Sequence, residues 1–279
     1  MKRYTTQALN EIAYIANYEK FYIKNRVLSI EIKNNKFKNF RIIDYINSDK
    51  KALGLEALLL VENSQFLLHK ITKQKYKHLI ISVRGSVNNL NITQILYDWF
   101  LADFGELTAL SKPRQSQGLQ KWINKILKQY GYSKTKIAIT GHSLGGAIVQ
   151  KIYANHPTLF EQSEIFSSAN GYNLLSDDQK IKNNNHEYSN LINYFNPKDI
   201  VHNMPPADEY VGIQAKVKFK QPKNMQIKIN SKYLYEALDY QHNASSFIFE
   251  KNGSIKFKID NSKPISASQL ILKIKNSLL

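Results

Sequence analysis

Between residues 5 and 23, Leu9, Ile12, Ala13, Ile15 and Ala16 recur at helical spacing and predict an amphipathic helix. Alternation of apolar and polar residues takes over at 27–32 and predicts a strand. Near-continuous apolar runs at 55–61 and 78–83 read as two neighbouring buried strands, the second ending in Arg84, Gly85 and Ser86. From Gly118 to Tyr130 the period is helical again, with Leu119, Trp122, Ile123, Ile126 and Leu127 on one side and Gly131 as a C-terminal stop. A short buried strand at 136–140 precedes a second apolar-faced helix at 147–154, and 163–168 and 191–195 each read as a strand ending at a loop. Strands that alternate with helices in this way predict a parallel sheet. Such sheets carry their sites at the carboxyl ends of the strands, where Ser86, Ser143 and Asp199 fall.

Two stretches depart from that rhythm. Val211, Ile213, Ala215, Val217 and Phe219 alternate with polar residues, and a turn at 221–224 leads to Met225, Ile227 and Ile229. This pattern predicts a small antiparallel hairpin near residues 210–230 with Lys216, Lys218 and Lys220 on its wet face. At the other limit, Leu270, Ile271, Ile274, Leu278 and Leu279 predict a packing helix over about 266–279. No Pro/Gly/Ser-rich linker and no internal repeat divides the 279 residues, so a single domain spanning 1–279 is expected.

The chemistry enters between the strand at 136–140 and the helix at 147–154. There the chain reads Gly141, His142, Ser143, Leu144, Gly145 and Gly146, a G-x-S-x-G between a strand and a helix, which is the pattern of a nucleophile elbow. The turn must be tight enough to project the serine hydroxyl, and the two glycines remove side chains where strand and helix come close. The helix start leaves the N–H of Leu144 without an intrahelical partner, aimed where an oxyanion would form.

A serine hydroxyl is a weak nucleophile by itself and needs a base, and the base needs an orienting acid. In folds with this elbow the partners follow in the order serine, acid, histidine. His69 and His78 come too early, and His142 and His156 flank the elbow helix. Asp199, just beyond the strand at 191–195, fits the acid; His186 precedes it and breaks the order. His202 lies three residues from Asp199 on one loop, too near to present one nitrogen to the acid and the other to Ser143. His242 remains as the expected base, with His202 as a neighbour.

Composition adds limits. A hydrophobic content of 43% is that of a globular chain, and no apolar run approaches the ~20 residues of a membrane span. The charged start is followed by no apolar core, so no Sec signal peptide is expected, and the chain would be cytoplasmic or exported by a signal-peptide-independent route. The absence of cysteine removes disulfides, thiolate metal sites and cysteine nucleophiles. The net charge of +17 is spread along the chain rather than gathered in a block, and no helix-turn-helix, RNP or zinc-finger pattern accompanies it. Nucleic acid is therefore not an expected partner; a lysine-rich solvated surface is the first reading, and attraction to an anionic membrane surface the second.

On these motifs the chain resembles the class 3 lipase family, which includes fungal triacylglycerol lipases and related bacterial phospholipases. The matching pieces are 83–86, 98–103, 139–147 and 198–207, the last an acid followed by Val201 and a Pro205-Pro206 turn. The resemblance spans roughly residues 55–247. It implies an α/β-hydrolase fold with a mostly parallel central sheet flanked by helices. It further implies a serine carboxylic-ester hydrolase that acts on lipid esters through an acyl-enzyme, with no metal and no organic cofactor. Carried over residue by residue, Ser143 is the nucleophile, Asp199 the acid and His242 the base, and Ser86 gives the second oxyanion N–H beside that of Leu144. The chain departs from the family in having Gln117 where a histidine is frequent, a longer stretch between Ser86 and Trp99, and only loose similarity around His242. That longer stretch, 87–97, carries Val87, Leu90, Ile92, Ile95 and Leu96 among asparagines where family members have a lid; a moving lid and a packed loop both remain open. Two other readings stay beside the lipase: an esterase or thioesterase on small soluble acyl groups, and a non-catalytic hydrolase-like binding protein.

Overall fold

The structure, a computed structural model, describes residues 2–47, 56–84, 113–130, 135–199, 201–202, 209–220, 242–243 and 246–263. Ser86, the lid candidate 87–97, the second half of the expected hairpin and the expected helix at 266–279 lie outside the described residues.

The strands are β1 (Val27–Lys33), β2 (Lys36–Asn47), β3 (Glu56–Glu62), β4 (His78–Val83), β5 (Lys136–His142), β6 (Phe160–Phe166), β7 (Leu191–Phe195), β8 (Ile213–Val217) and β9 (Phe257–Ile259). They form one nine-stranded sheet in sequential order. The first three pairings are antiparallel, β4 through β8 run parallel, and β9 closes the far edge antiparallel. The helices among the described residues are α1 (Thr6–Ile15), α2 (Asn63–Thr72), α3 (Pro113–Tyr130), α4 (Leu144–Asn155) and α5 (Asp177–Asn184).

Side-chain alternation along the central strands sorts the core into two layers. Leu59, Ile81, Ile137 and Ile139 face the side covered by Phe66 of α2, by Leu119, Ile123 and Ile126 of α3, and by Val149 and Ile152 of α4. Leu58, Leu60, Ile80 and Ala138 face the other side, under Leu9, Ile12 and Ala13 of α1. The hydroxyls of Ser82 and Thr140, also on that face, donate to the carbonyls of Ile12 and Leu9 at 3.3 Å each, so these two buried hydroxyls are satisfied by the helix itself.

Several expectations change. The N-terminal helix stops at Ile15, with Ala16 as its C-cap, and a short 3₁₀ turn at Glu19–Phe21 follows. The strand expected to open a hairpin at 210–230 joins the main sheet, while the other half of that hairpin lies outside the described residues. β8 lies between β7 and β9, and both its edges are occupied along 215–216. Its alternation is the same whether it pairs with a near or a distant strand, so the pattern could not choose the partner. No described helix is long and apolar enough to cross a membrane.

Because α1 alone supplies the described helical cover on its face, Leu9→Ala should cost about 3 kcal/mol of stability, the range for a fully buried leucine. Equilibrium urea denaturation measures it; a change below about 0.5 kcal/mol, typical of a surface site, would contradict this packing.

Candidate active site

β5 delivers the chain to Ser143, which adopts φ 56° and ψ −129°, a conformation that non-glycine residues rarely hold. The surroundings force it. The Ser143 N–H donates to the carbonyl of Phe166 at 3.2 Å, and its own carbonyl accepts from the N–H groups of Gly146 at 3.0 Å and Ala169 at 3.1 Å. A Cβ on Gly145 would lie 2.4 Å from the Val83 carbonyl oxygen, and one on Gly141 would lie 2.8 Å from the Gly145 carbonyl carbon. Strand, helix and the end of β4 therefore meet at distances that only glycine allows. Leu144 opens α4, which sets its N–H at the positive end of the helix.

The end of β4 is fixed independently. Arg84 and Glu56 form a buried ion pair, and the Arg84 N–H donates to the Glu56 carbonyl at 2.9 Å. The chain thus leaves the sheet toward Gly85 and Ser86 from an anchored residue. Gln150 of α4 holds the loop after β6: its amide donates to the Ser168 hydroxyl at 2.8 Å, and its oxygen accepts from the Gly171 N–H at 2.7 Å.

Asp199 and His242, 43 residues apart, meet in the interior. Nδ1 of His242 lies 3.0 Å from each carboxylate oxygen, and Oδ1 also accepts the Val201 N–H at 2.9 Å. Burial alone would raise the Asp199 pKa. The attraction and hydrogen bond of His242 outweigh it and hold the carboxyl below its ordinary value. With the acid ionised, the His242 proton sits on Nδ1 and the lone pair on Nε2.

The other two buried histidines have different work. His142, next to Ser143, donates from Nε2 to the backbone carbonyl of His242 at 2.8 Å, and its Nδ1 accepts from the Asn17 side-chain amide at 3.2 Å. The two imidazole rings stand 4.7 Å apart. Burial pushes the His142 pKa down to about 3, so it stays neutral and keeps this tautomer. His202 is stacked between Phe195, at 3.6 Å, and Tyr210, at 4.7 Å between ring centres, and its Nδ1 accepts from the Asn193 amide at 3.1 Å. Burial lowers its pKa to about 4. His202 is thus a packed neutral ring beside Asp199. His142 is a contact that sequence order could not find, because its role depends on where residue 242 arrives. Of the five expected site residues, Ser143, Leu144, Asp199 and His242 are described and Ser86 is not. No cluster of three or more metal-ligating side chains occurs among the described residues.

A mixed sheet whose central strands run parallel, with a strained serine turn between one of those strands and its helix, defines an α/β-hydrolase. The chain belongs to the class 3 lipases: the family's profile matches residues 62–209, more than half of its length. No curated protein matches the sequence. Among solved structures it is similar to the Lip2 lipase of Yarrowia lipolytica, at 16% identity over 76% of this chain and 77% of that one, with a TM-score of 0.46. It is also similar to lipase II of Rhizopus niveus, at 16% identity over 64% and 67%, with a TM-score of 0.40.

The buried histidines make stability fall in acid. An imidazole whose folded pKa is depressed contributes its full stability above the unfolded value of 6.5. That contribution declines as pH drops toward the folded value, about 4 for His202, because the unfolded chain takes up a proton that the folded one refuses. His202→Gln removes this proton uptake. The stability gap between wild type and variant should therefore narrow from pH 6.5 to about 4, as read from melting temperatures in matched buffers. A gap that stays constant would mean that His202 titrates normally in the folded state.

Proposed function

We propose that this protein hydrolyses carboxylic esters of lipids through an acyl-enzyme on Ser143. The observation that carries the reading is the pairing of His242 with a buried, ionised Asp199, while the His242 backbone is bonded to His142, the residue next to the strained serine. In this reading His242 Nε2 takes the Ser143 proton as the hydroxyl attacks the ester carbonyl, and returns it to the leaving alcohol. Asp199 holds the Nδ1–H tautomer and balances the imidazolium that forms. Water then repeats the cycle on the acyl-enzyme and releases the fatty acid. The Leu144 N–H, and that of Ser86, would receive the charge that develops on the carbonyl oxygen.

His142 supports the base without titrating. Its hydrogen bond to the His242 carbonyl ties the base-carrying segment to the elbow, so His142→Leu, which keeps bulk but loses the donor, should lower kcat far more than it raises KM. Membership of a lipase family favours a lipid ester as substrate, and the amphipathic stretch 87–97 suits a lid that covers the site in water.

Ser143→Ala should abolish turnover and labelling by a fluorophosphonate probe with the fold intact, since the substitution is small. Asp199→Asn should lose roughly 10⁴ in kcat, the effect of a wrong histidine tautomer in serine proteases. Near-wild-type rates in His242→Ala would assign the base elsewhere, and labelling that survives Ser143→Ala would remove the nucleophile from position 143.

A further inference from the structure

α2 is built inside out. Only Phe66 of its ten residues is buried as a hydrophobic anchor, whereas Leu67 and Leu68 are each 49% exposed and Ile71 is 81% exposed. At 100° per residue these three fall on one contiguous stripe on the side of the helix away from the buried Phe66. Scattered exposed leucines are ordinary, but an apolar stripe on the solvent side of a short helix is not.

The stripe has a basic collar. Lys70, Lys73, Lys75 and Lys77 fall within the same stretch, and no acidic residue occurs between 63 and 83. Two acids at this pole are already engaged. Glu62 is held by Arg3 at 2.9 Å and Lys38 at 2.7 Å, and Glu161 by His78 at 2.9 Å. Between α2 and the start of β4 lies a groove of about 310 Å³, whose walls include Arg3, Leu68, Lys75 and Lys77. Aliphatic tips framed by lysines, with a basic groove alongside, match a surface with an apolar interior and anionic headgroups. They do not match a second copy, since a symmetric contact would bring two lysine collars together.

Topology fixes which way such a contact faces. Ala57 of β3 pairs with Val83 of β4, so α2, which follows β3, sits where β4 and β5 begin. Ser143 is at the opposite end of β5, seven residues or about 20 Å along the strand. We propose that the outward stripe of α2 and its lysines dock this protein on an anionic lipid bilayer at the pole opposite Ser143. The docked molecule turns its candidate catalytic centre away from that bilayer, toward ester substrate arriving from solution or from a second membrane. The docking does not depend on the assignment of the triad; the direction in which the catalytic centre then faces rests on the proposed role of Ser143.

Because the chain has no cysteine, Ile71→Cys gives a single attachment point for an environment-sensitive nitrobenzoxadiazole label. Its emission should shift to the blue on vesicles of phosphatidylcholine mixed with phosphatidylglycerol. It should not shift on pure phosphatidylcholine, and the same label at the exposed Asp177→Cys should not respond on either. The triple variant Leu67→Ser, Leu68→Ser, Ile71→Ser should lose roughly tenfold or more in vesicle sedimentation and keep its hydrolysis of a dissolved short-chain ester. Replacing the four lysines by glutamine should have a similar effect and remove the salt dependence of binding. Anionic-vesicle binding that leaves the Ile71 label unshifted, or that survives the triple variant, would overturn the proposal. So would self-association of the wild type that the triple variant abolishes, or capture of an acidic protein by this face without any vesicle binding.

Discussion

Everything at the candidate catalytic centre depends on how closely β5, α4 and the end of β4 approach one another. Gly145 packs against the carbonyls of Val83 and Arg84, and Gly141 against the backbone of Gly145 itself. At that spacing the chain can turn from strand to helix only through a left-handed residue, and Ser143 occupies it. Such a backbone costs on the order of 1–3 kcal/mol and persists only where its surroundings over-determine it. Here three backbone hydrogen bonds from β6, α4 and the following loop hold it, and the Arg84–Glu56 pair keeps the end of β4 in register. The two core layers on either face of the sheet carry the load of this strained point.

Three buried histidines within one neighbourhood show how environment divides labour among identical side chains. His242 faces a carboxylate, which fixes the orientation of its ring. His142 faces a carbonyl and an amide, and His202 lies between two aromatic rings; both are held neutral by burial. The same low-dielectric interior that suppresses protonation at 142 and 202 makes the Asp199–His242 interaction strong, because little water competes for either partner. Adding one charge to either neutral ring would act directly on the pair.

The two poles of the sheet have different surfaces for a related reason. The carboxyl ends of the parallel strands converge on tight backbone turns and buried polar groups. At the amino ends, α2 and its loop lead into β4, and along residues 63–83 lysines and aliphatic side chains meet solvent with no acid between them. Parallel strands align every carboxyl end on one side, so a binding function at the other pole can vary without disturbing the chemistry.

The sequence by itself determined much of this. The 3.6-residue and 2-residue periods gave α1, α3, α4 and most of the central strands. G-x-S-x-G between a strand and a helix located Ser143, and chain order narrowed the candidate acid and base to Asp199 and His242. These features are local or ordinal, which is why one chain suffices to read them. β2 and α2 carried no clean period, since β2 mixes lysines into a 12-residue strand and α2 points its apolar residues outward. The pairing of β8 with β7 and β9, the link from His142 to His242 and the stacking of His202 were settled by tertiary structure alone. Each joins residues whose proximity depends on the path of the chain between them, and hydrophobic periodicity specifies a buried face without specifying which distant segment will cover it.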